Sequence, residues 1–404
     1  TEGTYADGVH GVFPTVTYPS HTTLVTGVLP AEHGIYNNQI FDPEHHFDGA
    51  WYWYSDQVKV PTLWSAAHTA GLRTASVSWP VTVDSNVIDD NLPEYWRGAL
   101  SVEAGNPQDR NLMNAVSRPD GALAEMQRRL GPYTMGTEVT LAGDRTRTIF
   151  AADIITRKHP DLMTVHLSSL DEEEHLHAPF SPEANADLEG LDTCLGQLIT
   201  AAKAANPATT VVVVSDHGFA PIHDAVNLYL PFLQAGLIRV GKPAPGSTLP
   251  TITAWTAEPW MASGMAAVML HDPNDTTTRQ QVKTMLDKLA ADPASGIDRI
   301  LTGAEAEQKG AFPGAAFVVL LRVGFYTGSA FTGPLLTPTS GHGTHGYSPD
   351  APEMQSSFFA LGPGIAHGRD LGKIDIREIA PTLAMVLGIT LPSAKGKPLA
   401  IFSQ

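Results

Sequence analysis

Three places in the chain bring together side chains able to hold a metal ion. In LDEEEHLHAP, Asp171 and His175 stand four apart. On a helix that spacing puts a carboxylate and an imidazole on one face, where both can reach one ion. In TVVVVSDHGF, Asp216 and His217 sit at the tip of a β-branched run. Adjacent residues diverge on a strand, so both can bind one ion only where the strand opens into a turn, and Gly218 supports that turn. In SGHGTHGYSP, a glycine-rich loop carries His342 and His345. Mixed Asp/His donors without thiolate favour zinc or a similar divalent ion, and suit catalysis better than a structural site.

A fourth place offers a nucleophile. In FPTVTYPSHTTLVTG, Pro14 and Pro19 hold an extended segment, and Ser20 is expected to cap a helix from about His21 to Thr26. Thr17 then lies just ahead of a helix N-terminus, whose unpaired N–H groups and positive dipole end favour an oxyanion or phosphate. A hydroxyl there needs activation, which a metal ion can supply.

These residues need elements to carry them, and the pattern predicts helices alternating with strands. Helices are expected over Pro61–Ala70 and Thr148–Lys158, each leading to a strand, Arg73–Trp79 and Leu162–Ser169. Leu188, Leu191, Leu195, Leu198 and Ala202 recur at three and four, which predicts an amphipathic helix from about Ala184 to Ala205. It runs into TVVVV at Thr210–Val214, a run suited to a parallel sheet buried on both faces. The alternation implies a doubly wound, mostly parallel sheet flanked by helices, with active groups at the carboxyl ends of the strands. Between about Asn227 and Ser340 the texture changes: Pro and Gly thicken (GKPAPGSTLP), and one helix, Thr277–Ala291, lies between strands near Ala266–Leu270 and Ala316–Val323. The expected division is therefore residues 1–226 and 341–404 as a core and 227–340 as an inserted cap region.

Composition narrows the classes. The chain has 404 residues, 43% of them hydrophobic, and a formal charge of -17. No basic stripe is present to neutralise duplex nucleic acid, and the acidic balance disfavours an anionic membrane surface. No run of about 18 apolar residues predicts a spanning helix. One cysteine, Cys194, excludes a disulfide framework and a multi-cysteine metal site. The opening TEGTYADGVHGVFP has no charged n-region or apolar h-region, so no signal peptide is expected within it.

Taken in order, TVTYPSHTTLVTG, HGIYNN, DEEEH, SDHGF and HGYSPDAPEM resemble the type I phosphodiesterase/nucleotide pyrophosphatase family of the alkaline phosphatase superfamily. The likeness runs from Gly3 to about Val240 and from Gly341 to about Pro398. It implies an alkaline-phosphatase-like α/β core with two zinc ions, other divalent ions being an option. Thr17 matches the family's nucleophile, and Asn38 matches a donor to the phosphoryl oxygen. Asp171, His175 and His345 match the ligands of one zinc. Asp216 and His217 match ligands of the other, which also contacts the nucleophile. Tyr18 matches a position where the family often stacks an aromatic on a nucleobase, with packing beneath the cap as the other reading. His166 faces either the pocket or the sheet interior.

One feature departs from the family. Its second zinc takes a further Asp from an Asp-Gly at the end of a first strand, a few tens of residues before the nucleophile. Here sixteen residues precede Thr17, and Asp7-Gly8 has neither that strand nor that spacing, so Asp7 receives no metal role. Either the chain lacks the family's first strand and helix, or this metal site is incomplete, and the abrupt opening favours the first. The implied reaction is hydrolysis of a phosphodiester or phosphoanhydride, on a nucleotide-type small molecule, through a phosphothreonyl intermediate. The implied location is periplasmic or secreted. The rivals are a phosphomonoesterase or phosphonoacetate-type hydrolase on the same core, or a binding protein with a vestigial metal site. WPVTVDSNVIDD contains no Lys or Arg for the extra charge of a monoester, which favours the diester.

Overall fold

The structure, a computed structural model, describes every residue except 1–2, 47–48, 97–106, 135–137, 244–249, 340 and 404. The middle of GKPAPGSTLP and the cap boundary at 340 lie outside the described residues. In the first half of the chain the elements that position the site are β1 (Thr4–Tyr5), α1 (Thr17–Thr26), α2 (Leu63–Thr69), β2 (Thr74–Val77) and β3 (Asp90–Leu92). They are followed by α3 (Leu141–Lys158), β4 (Leu162–Val165), α4 (Ser169–His177), α5 (Pro182–Ala205) and β5 (Val211–Val214).

Helix α1 begins four residues earlier than the Ser20 cap predicts. Val16 occupies the N-cap position and Thr17 is the first helical residue. Pro19 does not delay the helix, because the N–H it lacks would have no intrahelical acceptor in the first turn. Ser20 caps nothing; its hydroxyl is buried without a hydrogen-bond partner. Helix α3 starts seven residues before the predicted Thr148, where the Thr140 hydroxyl accepts from Gly143 N. Helix α2 is capped by Thr62 and closes on Gly71 at φ 76°.

Two sheets carry the ligands. Strands β3, β2 and β4 form a parallel sheet, with Thr74 opposite Leu162 and Val77 opposite Val165. Strand β5 lies in a second, mixed sheet. Its neighbour there, Phe358–Leu361, runs antiparallel to both β5 and β1. Among the described residues both β4 and β5 are therefore edge strands. This corrects the expected burial of TVVVV: Val211 to Val214 are all half-buried, and among the described residues β5 has a hydrogen-bonded neighbour on one side only. The stripe on α5 differs in the same way. Leu188 is exposed and Leu191, Leu195, Leu198 and Ala202 are half-buried, while Ala184, Asp187 and Cys194 are enclosed. The main core joins Leu24 and Val25 of α1 to Leu63 and Trp64 of α2, Phe358, Ile374 and Ile379.

The 227–340 stretch builds β6 (Ala257–Ala262), β7 (Met265–Leu270), α6 (Thr276–Ala290), β8 (Ile297–Thr302) and β9 (Phe317–Leu321). The four strands make an antiparallel sheet in the order β6-β7-β9-β8. Val282 and Leu286 of α6 pack against Val268 and Val319 in one cluster. On another, Met265, Ala267 and Val318 enclose Phe13 and Val16, the residues that lead into Thr17. The sheet of the insertion thus holds the approach to the candidate nucleophile.

Candidate active site

Four separate stretches converge at the carboxyl ends of β4 and β5. The segment before α1 is locked to the glycine loop: the Thr15 hydroxyl donates to Tyr347 O at 2.8 Å, and Gly346 N donates to Thr15 O at 3.0 Å. Gly346 adopts φ 83°, and a Cβ there would stand 2.3 Å from Ala262 O. A Cβ on Gly218 would lie 2.0 Å from Glu353 O, which explains the glycine after Asp216-His217. Both glycines permit close backbone approaches that no side chain would allow.

Three imidazoles share one device. His175 Nδ1 lies 3.0 Å from Gly343 O, His217 Nδ1 3.1 Å from Gly218 O, and His345 Nδ1 3.0 Å from Thr15 O. A carbonyl can only accept, so each Nδ1 carries the proton and each Nε2 keeps its lone pair. Those lone pairs turn toward Asp171. His175 Nε2 is 3.5 Å from Asp171 Oδ2, while His217 Nε2 and His345 Nε2 are each 3.8 Å from Oδ1. The rings of His217 and His345 stack with centroids 3.8 Å apart. Burial, and then the neighbouring His217 and His175, hold the His345 pKa well below its ordinary value, so the ring is a neutral donor at pH 7.

The ligand atoms of Asp171, His217 and His345 lie within 4.8 Å of one another. Asp171 Oδ1 is buried and has no hydrogen-bond partner among the described residues. An orphaned carboxylate oxygen facing fixed imidazole lone pairs fits a divalent cation, since such an oxygen otherwise goes uncompensated. Asp216 Oδ2 lies 3.1 Å from His217 Nε2 and 3.4 Å from His21 Nδ1. Burial pushes the Asp216 carboxyl up, but the His217 and His21 rings beside it more than reverse this and hold it below the usual range. All five predicted ligands therefore meet. Their closest grouping mixes the two expected sets, because His217 sits between Asp216 and Asp171.

Thr17 Oγ1 is 3.5 Å from His217 Nε2, at the first position of α1. Asn38 Oδ1 accepts from Tyr18 N at 2.8 Å, which anchors the amide beside Thr17 and leaves its NH2 group as donor. Tyr18 does not present a stacking face. It is fully buried, its ring stands edge-on to Trp51 at 5.1 Å, and its hydroxyl donates to Glu94 at 2.6 Å. Trp51 also meets Trp96, and Trp53 meets Tyr95 and Trp96, so Trp51, Trp53, Tyr95 and Trp96 form one cluster. His166 points to Glu94 and to the His21 ring rather than into the sheet. His177 pairs with Glu173 and His342 with Leu176 O, away from the centre of the site. Asp7 is exposed beside β1.

Sequence reasoning missed His21 and Glu94. His21 stands four after Thr17, one helical turn along the same face, a signal usable once α1 is started at Thr17. Nothing local marks Glu94. Glu174, between the ligands of α4, has its pKa pushed up to about 7 by burial and then by the charge of Asp171.

An α/β body with Asp and His donors gathered at strand ends, beside a threonine at a helix start, defines an alkaline-phosphatase-like fold with a candidate metal centre. The chain belongs to the type I phosphodiesterase/nucleotide pyrophosphatase family, whose model matches residues 1–348. It is 27% identical over 222 residues to an uncharacterised pyrophosphatase/phosphodiesterase of Schizosaccharomyces pombe, covering 54% of this chain and 39% of that protein. It is 25% identical over 229 residues to ectonucleotide pyrophosphatase/phosphodiesterase family member 1 of Homo sapiens, covering 54% and 20%. The match thus spans well under half of these curated relatives. Murine ectonucleotide pyrophosphatase/phosphodiesterase 5 shares the fold with a TM-score of 0.65 at 20% identity, over 98% of this chain and 90% of that one. An inactive threonine-to-alanine variant of the murine protein, solved in complex with AMP, gives a TM-score of 0.66. Among the described residues no helix is long and apolar enough to cross a membrane.

Proposed function

We propose that this chain hydrolyses a phosphodiester or phosphoanhydride bond of a nucleotide-type small molecule, with Thr17 as nucleophile. The observation that carries the reading is the set of three imidazoles whose Nε2 lone pairs surround Asp171, one of them 3.5 Å from the Thr17 hydroxyl. The five donors suit two divalent ions, zinc by their chemistry: Asp171, His175 and His345 for one, Asp216 and His217 for the other. When bound, such ions supply Lewis acidity, lowering the proton affinity of a nearby hydroxyl and offsetting charge on phosphoryl oxygens.

Thr17 Oγ1 loses its proton and forms the bond to phosphorus, while the bond from phosphorus to the leaving oxygen breaks. Water then attacks the phosphothreonyl group, which returns the hydroxyl to Thr17 and releases the phosphate monoester. The Asn38 amide and the N–H groups opening α1 hold the non-bridging oxygens where charge builds. The residues at 227–340 act as a cap, which the Asn37 amide joins to the core by donating to Met261 O at 2.8 Å. Relatives described as ectonucleotide and venom enzymes support a place of action outside the cytoplasm.

Two measurements test this. Thr17→Ala should abolish hydrolysis of a nitrophenyl phosphodiester while bound zinc, counted by mass spectrometry, stays at the wild-type level. Wild-type turnover in that variant sinks the assignment. A higher kcat/KM on the nitrophenyl monoester than on the diester would move the reading to a phosphomonoesterase.

A further inference from the structure

One buried carboxylate outside the ligand set touches the Thr17 turn at Tyr18 and reaches it a second time through His166. Glu94 follows β3 and is nearly enclosed. Its Oε1 accepts from the Tyr18 hydroxyl at 2.6 Å, and its Oε2 lies 3.2 Å from His166 Nδ1. His166 Nδ1 also lies 3.1 Å from Ser78 O. Both neighbours are acceptors, so His166 Nδ1 carries the proton and shares it between them. The His166 ring packs on the His21 ring with centroids 4.4 Å apart. His21 Nδ1 in turn lies 2.9 Å from Thr17 O and 3.4 Å from Asp216 Oδ2. Trp79 also packs on His21, edge-on at 4.8 Å.

The geometry points to Glu94 as a positioning residue that holds Thr17 against Asp216, gripping Tyr18 directly and His21 through His166. It rests on the reading of Thr17 as nucleophile. Glu94 reaches no predicted ligand itself, so it acts on the reaction only through these two arms. Burial alone would raise its pKa, but the hydrogen bonds from His166 and Tyr18 bring it below the usual range, so the carboxylate is charged in the interior. A charge-assisted hydrogen bond is shorter and roughly twice as strong as a neutral one. Both arms are therefore stiffer than neutral partners would make them, and a nucleophile displaced by a fraction of an ångström loses rate while substrate still binds.

Glu94→Gln separates charge from shape. A glutamine keeps the shape and can accept from His166 with its carbonyl oxygen, but its amide then faces the Tyr18 oxygen, so the charge and the acceptor for the Tyr18 O–H are both lost. Glu94→Gln should lower kcat on a nitrophenyl diester about tenfold to a hundredfold, with KM within about twofold of wild type and bound zinc unchanged. Tyr18→Phe removes one arm and should cost several-fold in kcat. The double variant should fall short of the product of the two single losses, because both act through one carboxylate. Wild-type kcat in Glu94→Gln overturns the inference, as does a loss carried by KM or by zinc content.

Should Glu94→Gln not fold, Tyr18→Phe decides the kinetic point. Histidine 15N NMR gives a readout independent of turnover: His166 should show a protonated Nδ1, kept in both variants by Ser78 O but shifted in Glu94→Gln and, less, in Tyr18→Phe. A His166 with unprotonated Nδ1 overturns the inference even if the enzyme is active. Full activity in Thr17→Ala, with the His166 signature intact, would instead locate the failure in the nucleophile assignment.

Discussion

Lowering the pH from 7 to 5 should weaken this fold, and His33 is a group whose share can be worked out. Its ring is enclosed at the end of the short helix Pro30–His33. Ile35 N donates to His33 Nδ1 at 3.1 Å, so Nδ1 holds a lone pair. Nε2–H then faces the Thr23 hydroxyl at 3.1 Å, whose own proton goes to Val28 O at 2.9 Å. Protonating Nδ1 would set N–H against N–H and place a charge where no water reaches. Burial accordingly lowers the pKa from 6.5 to about 3. The unfolded chain takes up this proton near pH 6.5, whereas the folded chain refuses it until about pH 3. The contribution is thus fully present above pH 6.5 and lost as the pH falls through that window.

At pH 5 the medium is about 1.5 units below the unfolded value, and each unit is worth about 1.36 kcal/mol, so His33 alone removes about 2 kcal/mol. The figure changes little provided the folded pKa stays below about 4. His33→Gln keeps an acceptor for Ile35 N and a donor for Thr23 but does not titrate. Its cost at pH 7 cancels when each protein is compared with itself. Urea unfolding at pH 7 and pH 5 should show wild type losing about 2 kcal/mol more than the variant. An equal loss in the two proteins would refute the reasoning, because every other histidine titrates in both.

Two further perturbations probe the site and the core. Asn38→Asp keeps the acceptor for Tyr18 N but removes the NH2 group, and should lower kcat by roughly 10²–10³-fold, the usual cost of losing one oxyanion donor, in steady-state assays on a nitrophenyl diester. Asn38→Ala should fall as far; a much smaller loss in Asn38→Asp would mean that anchoring, rather than donation, is the residue's task. Phe358→Ala, in the strand between β1 and β5, empties a fully buried site and should cost about 3–5 kcal/mol in denaturant unfolding; a loss below about 1 kcal/mol would show that this sheet contributes little to stability.

What was legible in the sequence follows from how far each cause reaches. Helix and strand periods are local, so α5, β5 and α6 lie within a few residues of their predicted ranges. The candidate metal donors were legible because they occur in pairs or glycine loops at strand ends, where an α/β sheet gathers its chemistry. The start of α1 was misplaced because a proline read as a break is tolerated in the first turn, and that shift hid His21, one turn on from Thr17. For Tyr18 the family resemblance implies stacking, with packing as the other reading. Its true partner, Glu94, is 76 residues away, and no spacing rule reaches that far.

Coverage of a strand is a different kind of property from strand formation. Four consecutive valines predict β5 correctly, yet their burial depends on what pairs with its second edge, and nothing within the run specifies that. The same holds for α5, whose leucine period is that of a covered helix although its stripe is half-open. Strands β4 and β5, which lie in different sheets, nevertheless bring His166 and Asp216 to one ring, that of His21. His21 is itself anchored on the first turn of α1 by Thr17 O. The placement of the candidate nucleophile therefore depends less on a continuous sheet than on side chains that bridge its two halves. This is why the buried Glu94–His166–His21 chain, which no periodicity announces, should affect turnover more than its distance from the ligand set suggests.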